Sequence, residues 1–291
     1  MMRPADESPL ADELLRALLP LDDETWLAAI SERVGAWTQS GVTLPRLPPD
    51  DLQILFNGLG GEANMRAGFD IYRCVRDNVS RWGQGLPRNA RLLDFGCGWG
   101  RVARFFLRDV LADGIHGVDV SPLGIDACRS TLPYGTYSLI DPQPPLVYVS
   151  ESFDVIYAYS VFSHLPERLH LDWVVELSRL LKPGGLFIAT TLQRSFIDVC
   201  RGFRETEKCT EEWQEAAARS FVDADSARAD YEAGRYLFSP LPRPDYGLTT
   251  VSRAYVERKW CPMLEYCDFI GGEHLPQAFI VMRKPGVSLP S

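Results

Sequence analysis

Arg91-Leu92-Leu93-Asp94-Phe95-Gly96-Cys97-Gly98-Trp99-Gly100-Arg101 is the stretch that most restricts what this chain can fold into. A short apolar run ends in an acid, and three glycines two apart follow it. That order predicts a strand turning at once into a helix, which gathers backbone N–H groups and a helix N-terminus at one spot. Glycine serves there twice. It reaches backbone angles closed to other residues, and it lets a ligand approach the main chain.

Beyond Arg101 the chain alternates in a way that fits such a start. Strands are expected over residues 91–95, 115–120, 136–140, 153–159 and 186–191, with helices between them. The helix after the glycines carries Val102, Phe105, Phe106 and Leu107. Ser121-Pro122 opens another, an N-cap serine with proline at the first helical position. A third runs over 166–181 until Lys182-Pro183-Gly184-Gly185 stops it. Strands and helices of these lengths give right-handed crossovers and a largely parallel, doubly wound α/β sheet.

Four segments are expected. Residues 1–88 form a helical N-terminal cap, with helices over 11–19, 24–37 and 62–82, a linker over 41–51 and a break at 57–61. Residues 89–192 form the core. Residues 193–250 form a lid-like insertion, helical over 210–221 and ending in a turn-rich stretch at 239–247. Residues 251–291 return to the sheet through two apolar runs, 263–270 and 278–283.

Composition narrows the partners. No run of about 18 apolar residues exists, so no membrane-spanning helix is expected. The 30 basic and 39 acidic residues leave a net charge of −9 with no basic run, which disfavours nucleic acid and anionic membranes. The N-terminus carries no charged-then-apolar export pattern, so a cytoplasmic location is the expectation. Seven cysteines without C-x-x-C spacing and four scattered histidines give no metal site. Oligomeric state is not readable from the sequence.

Two ligand classes use a glycine loop after a first strand. The dinucleotide fingerprint G-x-G-x-x-G needs a glycine at position 101, where this chain has Arg101. Asp94, two residues before the first glycine, is a poor neighbour for a pyrophosphate and suits a ligand bearing an ammonium group, such as S-adenosylmethionine. Asp119 closes the second strand, where a carboxylate can accept hydrogen bonds from both hydroxyls of a ribose.

Asp94-Phe95-Gly96-Cys97-Gly98-Trp99-Gly100, Gly117-Val118-Asp119-Val120-Ser121, Phe153-Asp154-Val155-Ile156 and Leu181-Lys182-Pro183-Gly184-Gly185 resemble, in order and spacing, the successive motifs of class I S-adenosylmethionine-dependent methyltransferases. The resemblance covers about a third of the chain, residues 89–192. It implies a Rossmann-like, seven-stranded, mostly parallel sheet with its last strand antiparallel. It implies S-adenosylmethionine as cofactor, with Asp94 near the methionine amino group and Phe95, Gly96, Cys97, Gly98 and Gly100 around the amino-acid moiety. Asp119 would hold the ribose, Val120 and Ile140-Asp141 would flank the adenine, and Tyr159 and Ser160 would line the methionine end. The family's usual Asp-Ala pair after the third strand is replaced here by Ile140-Asp141-Pro142.

A hydroxyl acceptor calls for a base, and His164 follows the fourth strand where ligands of open α/β folds bind. Helix capping or pocket shaping is its alternative role. His170 shares a helical face with Trp173, Val174, Leu177 and Leu181 and is expected in the core; His116 and His274 have no visible partner. Arg101 and Arg104 at a helix start point to a partner carboxylate or to solvent. The expected function is methyl transfer to a small-molecule acceptor, at a sugar or natural-product hydroxyl oxygen. Protein or tRNA methylation, a non-catalytic S-adenosylmethionine-binding module and a nicotinamide oxidoreductase are the alternatives.

Overall fold

In the computed structural model, which describes residues 9–32, 43–206, 209–243, 245–272 and 275–286, the helical start is α1 Pro9–Leu18, α2 Asp23–Ser31, α3 Asp50–Asn57 and α4 Gly61–Trp82. The part of the 24–37 helix beyond Glu32, and His274, lie outside the described residues. Asp22 caps α2 by accepting from the Thr25 N–H at 2.9 Å. Helix α3 lies between the expected linker and the expected break, taking Asp50 and Asp51 from the first and Asn57 from the second. Asp50 and Asp51 sit in its first turn, where acids suit the dipole, and Gly58 ends it at φ +68°.

Strand β1 Leu92–Phe95 follows, then β2 Ile115–Asp119, α5 Pro122–Thr131, β3 Thr136–Leu139, β4 Phe153–Ala158, α6 Glu167–Leu180 and β5 Leu181–Thr191. Strand β5 therefore begins five residues before its expected start, taking in Lys182-Pro183-Gly184-Gly185. Three helices come next: α7 Ser195–Thr206, α8 Glu212–Arg219 and α9 Ala224–Glu232. The turn-rich stretch after them contains an antiparallel pair, β6 Leu237–Pro240 and β7 Gly247–Thr250, that its prolines had hidden. Helix α10 Arg253–Lys259 then leads to β8 Glu265–Ile270 and β9 Ala278–Arg283. The seven-stranded sheet runs in the order β3-β2-β1-β4-β5-β9-β8. Strands β2 and β4 both pair parallel to β1, β3 pairs parallel to β2, and β9 pairs antiparallel to β5 and to β8. This is the expected Rossmann-like α/β sheet.

The chain divides into two compact units, residues 1–142 with 152–157, and residues 143–151 with 158–291. In the first, the expected α-helix after the glycines is a 3-10 helix, Ala103–Arg108. All six of its residues are buried, so the expected one-sided pattern is absent. Phe69 and Tyr72 of α4 pack on Phe105 and Phe106 at centroid distances of 5.2, 5.6 and 5.0 Å, and the Trp26 indole donates to the Phe105 carbonyl at 3.0 Å. Each such side chain, buried whole, contributes roughly 1.5–3 kcal/mol. In the second unit Phe162, Phe187 and Trp260 pack together, with rings 5.4 to 5.6 Å apart. His170 lies among them as expected. It receives the Trp260 N–H at Nε2 (3.2 Å), and its Nδ1 meets the Tyr236 hydroxyl at 2.9 Å. Burial pushes it down to about 3, so it is a neutral core group.

Candidate functional site

The glycine loop leaves β1 at Asp94 and turns on three positive φ angles: Gly96 at +80°, Gly98 at +53° and Gly100 at +77°. The amides of Gly96 and Cys97 donate to the Val118 carbonyl at 2.8 and 3.1 Å, which lays the loop against β2. Asp119, ending β2, accepts the Gly98 N–H at 2.7 Å on one oxygen and the Ser121 N–H at 2.8 Å on the other. One carboxylate thus fastens the loop to the start of α5, where Ser121 Oγ caps the helix. The fastening needs a glycine at 124: a Cβ there would stand 2.7 Å from the Gly98 carbonyl oxygen.

Asp94 is buried. The Tyr157 hydroxyl and the Ala103 N–H donate to its carboxyl, while burial, with Asp119's charge adding, pushes it up to about 7. Val120 and Leu139, at the ends of β2 and β3, are about half exposed, and Ile140 N–H donates to the Asp119 carbonyl at 3.0 Å. Asp141 beyond them is exposed. In the first unit the fold therefore gathers Phe95, Gly96, Cys97, Gly98, Gly100, Asp119, Val120 and Ile140, and places Asp94 inside.

These residues fit an S-adenosyl nucleoside. The Asp119 carboxylate keeps acceptor capacity beyond its backbone bonds from Gly98, Ser121 and Val120, the right chemistry for a ribose hydroxyl. Apolar side chains left open beside it suit a base. Asp94 lies buried beside the loop, accepting from the Tyr157 hydroxyl and the Ala103 N–H.

Two features of this half were hidden in the sequence. Helix α3 closes on the loop: the Trp99 indole donates to Asn57 Oδ1 at 2.8 Å, and the Phe56 ring stands 3.3 Å from where a Gly98 Cβ would lie. Its legible signal was Pro49-Asp50-Asp51 ahead of an apolar run. Of the two arginines, Arg101 carries its charge near the Asp94 carboxyl, while Arg104 departs from the expectation. Arg104 is fully buried and meets neither a carboxylate bond nor solvent; it donates to the carbonyls of Gly100 (3.1 Å) and Arg46 (3.0 Å), and its guanidinium lies 4.7 Å over Trp99. Burial lowers it to about 10. Arg101 donates to Asn64 Oδ1 at 2.9 Å, and Asn64 in turn to Gln53. His116 meets Arg91 at 3.2 Å.

The second unit holds Tyr159, Ser160 and His164. Tyr159 faces Phe279 at 6.4 Å between rings. Ser160 sits at φ +59°, a left-handed angle that is strained for a serine. Its Oγ lies 3.3 Å from His164 Nε2. His164 Nδ1 lies 2.8 Å from the Gly247 carbonyl oxygen, which can only accept, so the neutral ring carries its proton on Nδ1 and offers a lone pair at Nε2. Tyr246 stacks on the ring at 4.6 Å and 8°. Burial holds His164 below its ordinary value of 6.5, with the Gly247 bond opposing.

A family profile described as a methyltransferase domain matches residues 93–187. Over 119 residues the chain is 33% identical to a ubiquinone biosynthesis O-methyltransferase of Cereibacter sphaeroides, covering 38% of this chain and 43% of that one. Over 114 residues it is 30% identical to a tRNA N(3)-cytidine methyltransferase of Gallus gallus, covering 36% of this chain and 30% of the other. The chain spans less than half the length of these curated relatives. A solved structure from Listeria monocytogenes, assigned as an S-adenosylmethionine-dependent methyltransferase, matches the fold with a TM-score of 0.50 at 16% identity, covering 75% of this chain and 99% of that one.

Proposed function

With residues 93–187 forming a class I S-adenosylmethionine-dependent methyltransferase domain, we propose that the protein transfers a methyl group to a hydroxyl oxygen of a small-molecule acceptor. When bound, S-adenosylmethionine supplies an electrophilic methyl group on a sulfonium. Asp119 and the loop from Phe95 to Gly100 hold it, with Val120, Ile140 and Asp141 at the adenine and Tyr159 and Ser160 at the methionine end. Asp94 stands near the methionine amino group and braces the loop through Tyr157 and Ala103.

The observation that carries the oxygen reading is the state of His164. A neutral imidazole with its Nδ1 proton committed to Gly247 and its Nε2 lone pair turned to a hydroxyl is what a base for an alcohol requires. Positioning the acceptor against the methyl group can supply about 7–11 kcal/mol of the barrier, and base catalysis the remainder. The O-methyltransferase likeness points the same way. The likeness to the tRNA enzyme covers a similar share of the chain, and the net charge of −9 with no basic run gives an RNA backbone little to hold.

The test is incubation of the pure protein with trideuteriomethyl-labelled cofactor and a metabolite extract, read by mass spectrometry. The expected result is a small oxygen-containing product carrying the label. Label appearing only on protein or RNA contradicts the acceptor class.

A further inference from the structure

Gln277, the residue before β9, lies 117 positions after Ser160 and is nine-tenths buried. Its Nε2 donates to Ser160 Oγ at 2.9 Å. Its Oε1 accepts from the Thr190 hydroxyl at 2.6 Å, and Thr190 Oγ1 accepts the Ser160 backbone N–H at 2.8 Å. The directions of these bonds are forced. Turning the amide over would leave the proton of Thr190, a buried residue, without an acceptor, and would draw the Ser160 proton onto the amide oxygen and away from His164. With Gln277 donating, one lone pair of Ser160 Oγ is filled and the Ser160 proton points elsewhere. His164 Nε2, held as an acceptor by the Nδ1 bond to Gly247, is where it goes.

We infer that Gln277 is a positioning residue that keeps the Ser160 proton on His164, making Ser160 the relay through which the acceptor hydroxyl is deprotonated. The inference rests on the reading of His164 as the base. In the step, the acceptor O–H bond breaks as its proton joins Ser160 Oγ. The Ser160 O–H bond breaks as that proton joins His164 Nε2. The acceptor oxygen keeps the electron pair with which it would bond to the methyl group, whose bond to the sulfonium would break with its pair left on the departing thioether sulfur. Ser160 Oγ has one lone pair left for the incoming proton, because Gln277 occupies the other. The strained φ of Ser160 aims the hydroxyl at this junction, and the Thr190 bond to its backbone N–H helps hold that angle.

Among the described residues, these groups stand near the ring. Tyr246 stacks on it, Arg243 lies 5.8 Å from the Tyr246 ring centre, and Ser163 Oγ stands 3.5 Å from Ser160 Oγ. Burial and the Gly247 carbonyl are what set its titration.

The experiment is an NMR titration of the His164 ring, assigned with His164→Ala, which needs no acceptor. In Gln277→Glu the carboxylate takes the Ser160 proton, Ser160 turns a lone pair toward Nε2, and the proton affinity of His164 rises about tenfold. Thr190→Val frees the amide to turn and gives a rise of several-fold without adding a charge. In the Ser160→Ala background most of each rise disappears. A rise of the same size without Ser160 means a direct field or packing effect and overturns the relay, as does no rise in either folded variant. Failure of methyl transfer with these titrations intact would fall on the proposed function and leave the positioning role standing.

Discussion

In the proposed function Asp119 serves the methyl donor and His164 the acceptor, and the two are held in different ways. Asp119 is fixed by backbone amides two residues ahead and 21 behind, within one strand–loop–helix unit. His164 is fixed by a carbonyl 83 residues away, and its partner Ser160 by an amide side chain 117 residues away. The donor side is thus built from local backbone geometry that glycine and aspartate enforce. The acceptor side is built from long-range side-chain bonds whose directions matter as much as their lengths.

The sharpest way to break this contrast is His164→Ala. Turnover should fall on the order of 10²–10⁴-fold while cofactor affinity stays as it was, seen in steady-state rates beside a binding titration. Equal loss of both would make His164 a scaffold residue. Because the folded group titrates below 6.5, the wild-type rate should persist into weakly acidic solution and fall only beneath that pH.

A smaller effect is expected from Gly124→Ala. The new methyl meets the Gly98 carbonyl at 2.7 Å, so α5 must move off the loop, at about 1–3 kcal/mol of stability, with weaker cofactor binding. A thermal melt unchanged from wild type would show that the loop is not fastened as described.

The smallest concerns Asp94. Its folded value of about 7 lies above the ordinary 3.8, so the unfolded chain gives up this proton first and the group costs stability as pH rises from near 4 to 7. His116, held at about 4, and His170, at about 3, lie below 6.5 and act oppositely over part of that window. The effect therefore shows as a difference: Asp94→Asn should gain on wild type between pH 5 and 7.5 in denaturant melts. A constant gap across that range would refute the burial of a protonatable carboxyl.

The same contrast explains what the sequence made legible. The strand, the glycines, Asp119 and the Ser121-Pro122 helix start were readable because each is a local backbone requirement met by one residue type. The 3-10 helix was not, since Phe105 and Phe106 fit an amphipathic α-helix equally well. Helix α3 was lost among prolines and glycines that read as linker. Arg104 looked like a group in need of an anion because carbonyl partners leave no mark in a sequence. Gln277, Thr190 and the Gly247 carbonyl were invisible for a further reason: their roles exist only once β5, β7 and the start of β9 are in place. His164 could be singled out by its position after β4, but its tautomer could not.

The central claim is that the glycine loop and Asp119 bind S-adenosylmethionine, and calorimetric titration of the cofactor into the pure protein and into Asp119→Ala tests it most directly. Saturable one-to-one binding by the wild type is expected, weakened roughly 10- to 100-fold in the variant through the lost hydrogen bonds to a charged group. No binding by folded wild-type protein, or equal affinity in the two, would contradict it.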